Sequence, residues 1–166
     1  MTQIATQPRT PRATADDVHW LTPEQQTHWR AYRDGTALLM DVLSRELDED
    51  AGLSLAEYEV LVRLSEAPGR TLRMSELAGE LAHSRSRLTH TVRRMEDAGL
   101  VARNPCAVDA RGVNCTMTDL GLQRIVATAP SHVASVRAHL IDVLTDEQLR
   151  ALGTAMGVVA HALRES

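Results

Sequence analysis

The chain has 166 residues and 43% apolar composition, enough to bury a core as one compact domain or two small lobes and too apolar for a disordered chain. No apolar run approaches the roughly 20 residues that span a bilayer, and residues 1–18 lack the apolar core of a secretory signal, so the expectation is a cytoplasmic protein with no membrane partner. The net charge of −4 disfavours a polyanion-binding surface spread over the whole molecule and directs attention to local charge.

Residues 1–18 carry Thr, Pro and Arg without periodicity and read as a mobile N-terminal arm. Residues 19–52 read as a helical region. Thr22-Pro23-Glu24-Gln25 supplies a cap, a proline at the first helical position and a glutamine three residues after the cap. The helix is expected to run through Trp29, Tyr32, Leu38, Val42 and Leu43 to about Leu47, and to end in the acidic turn Asp48–Gly52. Ser54-Leu55-Ala56-Glu57 is a capping box that opens a second helix, through Tyr58, Val60, Leu61 and Leu64 to Ala67. Pro68-Gly69 breaks it, and Thr71-Leu72-Arg73 is expected as a small strand.

Met74 to Ala82 reads as a short amphipathic helix with Leu77, Ala78 and Leu81 inward. Only His83-Ser84 separate it from a longer helix that Ser84 caps and Gly99 ends in the left-handed conformation. Leu88, Thr91, Val92 and Met95 make the inward stripe of that helix. Ser86, His90, Arg93, Arg94 and Asp97 form the opposite face, with Arg87 and Thr89 on its shoulders. Two helices across so tight a turn form a helix-turn-helix pattern. Residues 100–106 and 113–117 then read as strands joined by the polar tip Asp109-Ala110-Arg111-Gly112, a hairpin that completes a winged module over residues 53–118.

Charge supports that assignment. Residues 83–111 hold six Arg against Glu96, Asp97 and Asp109, a local net charge of +3, which leaves −7 elsewhere. Every basic residue apart from histidine is Arg, so each cation is a planar fork suited to bidentate bonds. The expected partner is double-stranded DNA. Ser84, Arg85, Ser86, Arg87, Thr89, His90, Arg93 and Arg94 are the candidate contacts of the recognition helix, with Arg85 near the N–H groups that favour phosphate. Arg94 has a competing reading as the partner of a neighbouring carboxylate. At the hairpin tip Arg111 is the candidate for a minor groove, and Asp109 is expected to orient it.

Cys106 and Cys115 straddle the hairpin almost symmetrically, a placement that would allow them to face each other, although two small, partly buried side chains is the better reading. The alternative is the pair of a redox-responsive regulator. Among the histidines, His132 and His139 lie seven apart and His28 is on the first helix, but no HxxxH or CxxC spacing marks a metal site. No glycine-rich phosphate loop, nucleophile elbow or paired-acid motif is present. The expectation is therefore no enzyme, no cofactor and no metal.

Residues 119–166 read as C-terminal helices. Thr118-Asp119 starts one through Leu122, Ile125 and Val126, with a kink or break expected at Pro130 before the pattern resumes at Val133. Thr145 caps a last helix whose Leu149, Leu152, Met156, Val159 and Leu163 alternate by three and four, a seam that calls for a partner surface. The first and last helices are the candidates for a homodimer contact. The fold class is thus mainly α: a winged helix-turn-helix with a small β-hairpin wing and an all-helical dimerisation region.

Taken together, Ser75-Glu76-Leu77-Ala78, Ser84-Arg85-Ser86, Arg94-Met95-Glu96-Asp97-Ala98-Gly99-Leu100-Val101 and Asp109-Ala110-Arg111 with Met117-Thr118 resemble the MarR (multiple antibiotic resistance regulator) family of transcription factors, from about Leu21 to Leu163. The resemblance implies an obligate dimer with interleaved terminal helices. It implies a palindromic operator, most often repressed, and release by a small aromatic or phenolic effector. In that family the effector pocket lies between the first helices and the winged lobe, which makes Trp29, Tyr32 and Tyr58 its candidate lining. The chain has no cysteine in its first helix, so peroxide sensing by that route is not expected. The competing class is a winged-helix module that binds a protein instead of DNA, which the Arg-rich face disfavours.

Overall fold

Five helices of this chain open on a Ser or Thr hydroxyl that closes its own first turn. The computed structural model describes residues 18–81, 84–106 and 112–165. In α1 (Pro23–Ala51) the Thr22 hydroxyl accepts from the Gln25 N–H at 3.2 Å while the Gln25 side chain accepts from the Thr22 N–H at 2.9 Å. Ser54 heads α2 (Leu55–Glu66), Ser84 heads α4 (Arg85–Asp97), Thr118 heads α5 (Asp119–Val136) and Thr145 heads α6 (Asp146–Arg164) in the same way. Loss of such a cap costs about 1 kcal/mol. The short α3 (Met74–Glu80) is the exception: it starts from Arg73, whose N–H donates to the Glu76 carboxylate at 3.1 Å.

The chain divides into two compact units, up to Ala37 and from Leu38 onward. The described part of the first is the approach to α1 and its opening turns. There Trp29 and Tyr32 stand one turn apart with ring centroids 6.0 Å from each other, both exposed.

The second unit contains the lobe. After α2 a single 3₁₀ turn, Pro68–Arg70, uses Gly69 at φ +60° to swing the chain into β1 (Thr71–Arg73). With β2 (Val101–Pro105) and β3 (Val113–Met117) it forms an antiparallel sheet in the order β1-β3-β2. Leu72 lies opposite Cys115, and Val101 opposite Met117. Alternation along β3 puts Val113, Cys115 and Met117 on one face; Cys115 and Met117 are buried there, while Val113, at the wing end of the strand, is exposed. The buried sheet face closes a core with Val60, Leu61 and Leu64 of α2, Leu77 of α3, Leu88, Val92 and Met95 of α4, and Ile125 of α5. Each such side chain contributes about 1.5–3 kcal/mol on leaving water.

The expected order of elements is present, with three boundary differences. Helix α1 runs through the acidic triplet to Ala51 and ends at Gly52, φ +60°, because acidic side chains do not stop a helix and a left-handed glycine does. Helix α5 passes through Pro130 without a break. The proline there withholds one N–H from the carbonyl of Val126, and the helical register changes only later, in a π-helical turn at Arg137–Ile141. Finally, α3 ends at Glu80 and Leu81 caps it. No described helix is long and apolar enough to cross a membrane. In α6 none of the seam is buried: Leu149 and Met156 are half-buried, while Leu152, Val159 and Leu163 are exposed.

Candidate nucleic-acid interface

The recognition helix α4 is fixed at both ends. At its start the Ser84 hydroxyl accepts from the Arg87 N–H at 3.2 Å. At its end Gly99, φ +73°, lets the Gly99 N–H reach the Glu96 carbonyl and the Leu100 N–H reach the Met95 carbonyl, both at 2.9 Å. That is a Schellman closure, and it turns the chain directly into β2. The inward stripe is as the spacing predicts: Leu88, Thr91, Val92 and Met95 are buried. Ser84, Arg85, Ser86, Arg87, Thr89, His90 and Arg93 are exposed.

Among the described residues no carboxylate pairs with Arg85, Arg87 or Arg93. Their guanidinium groups keep their donors for an outside acceptor. A shallow cleft of about 410 Å³ runs along this face, lined by Arg85, Ser86, Thr89, His90 and Arg93. The Thr89 hydroxyl donates to the Arg85 carbonyl at 2.7 Å, so toward a ligand it retains acceptor capacity.

Arg94 belongs to a different construction. Its guanidinium lies 3.0 Å from the Glu57 carboxylate and 3.4 Å from the Ser54 hydroxyl. The same carboxylate accepts from the Ser54 N–H and hydroxyl at 2.9 and 2.7 Å, so Arg94 is built into the capping box of α2. The carboxylate-partner reading of Arg94 thus has its residue in Glu57, and the pair ties α2 to α4. The other end of α4 has a second tie. Glu96 accepts from the Arg103 N–H at 2.9 Å and from its guanidinium at 2.8 and 2.6 Å, which locks β2 onto the helix exit. The Arg103 guanidinium, then its N–H, hold the Glu96 carboxyl below its ordinary value. Neither pairing is legible in sequence, since an acidic residue in a helix has many Arg within reach of a fold not yet known.

The wing tip, with Asp109 and Arg111, lies outside the described residues. At its root the Cys106 N–H donates to the Gly112 carbonyl at 2.8 Å. Cys106 and Cys115, which a symmetric hairpin would set face to face, do not face each other. Arg103 lies opposite Cys115, an offset of three residues from Cys106. Three residues along a strand is roughly 10 Å, and an odd offset puts the side chains on opposite faces. Among the described residues neither cysteine is in a disulfide, and burial pushes the Cys115 thiol up to about 12, where it is a poor nucleophile. The redox-pair reading therefore falls.

Tyr58 is buried and stacks on His132 of α5, with centroids 4.4 Å apart. The pair borders a cleft of about 240 Å³ whose other lining is Leu55, Val62 and Leu81 with the charged Glu59, Arg63 and Glu80. Its lining comes from the second unit alone. The His132 Nδ1 is buried with no hydrogen-bond partner among the described residues. Burial lowers the His132 pKa, opposed by the Glu59 charge, and burial raises that of the Tyr58 hydroxyl. His139 has another partner altogether, the Glu46 carboxylate at 2.9 Å. Among the described residues no cluster of three His, Cys, Asp or Glu side chains is placed to hold a metal ion.

Comparison with known proteins follows the same lines. The model of the MarR family matches residues 51–112, which span α2, β1, the helix-turn-helix and the first wing strand, β2. A MarR family transcriptional regulator of Streptomyces coelicolor, Sco3205, solved in complex with DNA, is 45% identical with a TM-score of 0.85, covering 89% of this chain and 92% of that one. AbsC, another MarR family regulator of Streptomyces coelicolor, is 42% identical with a TM-score of 0.84, covering 90% and 100%. The HTH-type transcriptional repressor Rv2887 of Mycobacterium tuberculosis is 33% identical over 99 residues, 60% of this chain and 69% of that protein.

Proposed function

The chain belongs to the MarR family of DNA-binding transcriptional regulators, and on that footing we propose that it is a homodimeric repressor that seats one α4 in each half of a palindromic operator. The observation that carries this reading is the exposed face of α4, where Arg85, Arg87 and Arg93 have no carboxylate partner among the described residues while the helix behind them is held rigidly. Arg87 and His90, near the helix start, discriminate base edges, and Ser84, Arg85, Ser86, Thr89 and Arg93 engage the backbone and flanking positions. Arg111, oriented by Asp109, enters the adjoining minor groove.

Residues 53–118 then form the DNA-binding lobe, and residues 19–52 and 119–166 supply the dimer contact. The unburied apolar seam of α6 supports that division, because a row of Leu, Met and Val gains little on a protomer's own surface. A small aromatic effector is received at the Tyr58–His132 cleft, where Leu55, Val62 and Leu81 offer apolar wall beside the two rings and Arg63, Glu59 and Glu80 supply the charged rim. A regulator working this way acts in the cytoplasm.

The test is a selection of bound duplexes from a random library, followed by affinity measurement at several salt concentrations. The expected result is an inverted repeat with half-site centres about one helical turn or a multiple apart and affinity that falls steeply with salt. Binding without sequence preference, or unaffected by salt, would refute the reading.

A further inference from the structure

A second cleft, of about 320 Å³, lies on the other flank of the recognition helix. It is enclosed by three segments distant in sequence: Arg73 and Ser75 at the β1–α3 junction, Arg85 and Thr89 on α4, and Gly112 with Val113 at the wing root. Leu88 and Met74 make its apolar floor. Two guanidinium groups and the Ser75 and Thr89 hydroxyls line it, and among the described residues no carboxylate does. The nearest acid in sequence, Glu76, accepts from the Arg73 N–H at 3.1 Å and lines a different groove.

The side chain of Arg73 is placed by packing. Its guanidinium donates to Cys106 Sγ at 3.3 Å, and a Cβ at position 112 would come within 3.1 Å of the same guanidinium. Gly112 is therefore the residue that lets this cation lie against the wing root. The Ser75 hydroxyl has no hydrogen-bond partner among the described residues.

Arg85 and Thr89 line this cleft and the cleft on the open face of α4 alike. A duplex seated on α4 consequently carries one strand past Arg73. We propose that this cleft is a phosphate seat for the DNA backbone, in which Arg73 and Arg85 grip one phosphodiester from two sides and Ser75 donates to it. The inference rests on the operator-binding reading and adds to it a contact outside the recognition helix and wing tip. The geometry has a further consequence: because Arg73 also lies against the wing root, the phosphate fixes the wing and α4 in one register on the duplex.

The experiment uses the full chain and a duplex chosen by the selection described above. Each phosphate contact contributes about 0.9 to the slope of log affinity against log salt, so Arg73→Gln should lower the slope of a dimer by roughly 2. Arg73→Lys should restore most of the slope, as a charge contact allows and a purely steric role does not. Unaltered protein on a set of operators carrying single methylphosphonates gives a readout that needs no variant. One position per half-site should weaken binding, and at that position alone the loss should be smaller for Arg73→Gln than for wild type, Arg85 and Ser75 accounting for what remains. An unchanged slope in Arg73→Gln with wild-type binding intact overturns the phosphate seat and leaves the operator reading standing. Failure of the wild type itself to bind in a salt-dependent way overturns both. Inorganic phosphate titrated at constant ionic strength is the last arm. Saturable stabilisation that Arg73→Gln abolishes, with no change in salt slope, would assign the cleft to a free anion and overturn the DNA assignment.

Discussion

Gly121 lies in the first turn of α5, where the wing sheet hands the chain to the C-terminal helices, and replacing it by alanine should destabilise the protein. In an unobstructed helix the change would be favourable by about 0.5–1 kcal/mol, because alanine loses less backbone entropy. Here the added Cβ would lie 2.2 Å from the Leu100 carbonyl oxygen and 2.8 Å from Met117 Cγ. The first contact is with backbone and cannot be relieved by a rotamer change. Moving Leu100 would disturb the acceptor of the Thr118 N–H at 3.0 Å and hydroxyl at 3.1 Å, the bonds that join β2 to α5. Overpacking of this kind costs about 1–3 kcal/mol, and a weakened buried bond adds about 1 kcal/mol, which together outweigh the helix gain.

Gly79 is the control. It lies in α3 without a positive φ, and a Cβ there meets nothing within 4 Å, so Gly79→Ala should stabilise by about 0.4–1 kcal/mol. Urea unfolding at a single protein concentration, with m held equal, measures both changes against wild type. A midpoint for Gly121→Ala at or above that of wild type would refute the packing argument.

Three further outcomes follow from named contacts. Because burial holds His132 below its ordinary pKa of 6.5, with Glu59 opposing, the neutral ring is favoured by folding; stability should be full above about pH 6.5 and decline as pH falls through the lower folded value, and urea midpoints of His132→Gln should show a shallower decline. Alkylation followed by mass spectrometry at pH 8 should modify Cys106 well before Cys115, whose thiol is pushed up to about 12 from 9.0, and the contribution of that burial to stability should be present below pH 9 and fade as pH rises toward 12. Arg94→Ala should cost about 0.5–1 kcal/mol in unfolding experiments, since the arginine is half exposed, and should weaken operator binding without altering base preference; Arg87→Ala should cost about 1–3 kcal/mol per half-site and relax preference at particular base pairs in the selection assay.

The features readable from sequence are those decided within one or two turns of chain. A hydroxyl three residues ahead of a helix N–H, a glycine after the last apolar position and the 3.6-residue stripe of α4 each act locally, so Ser84, Gly99 and Met95 fall where spacing places them. Pro130 is a local signal that misleads, because one missing N–H is a smaller perturbation than the packing of the helix around it. The contacts that turn α4 into a fixed platform are invisible for the opposite reason. Glu57 and Arg94 are 37 positions apart, and only the packing of α2 against α4 selects that pair from many alternatives.

The wing shows how a single register decides chemistry. Cys106 and Cys115 look matched if the turn is centred midway between them. The ladder instead pairs Pro105 with Val113 and Arg103 with Cys115, which offsets the two cysteines by three residues. That odd offset sends Cys115 into the core and Cys106 to the opposite face, beside Arg73. The same register that removes a disulfide thus places a guanidinium at the wing root, next to the helix that meets the duplex. A chain whose turn closed one residue further on would face its cysteines the other way and would leave Arg73 no such neighbour.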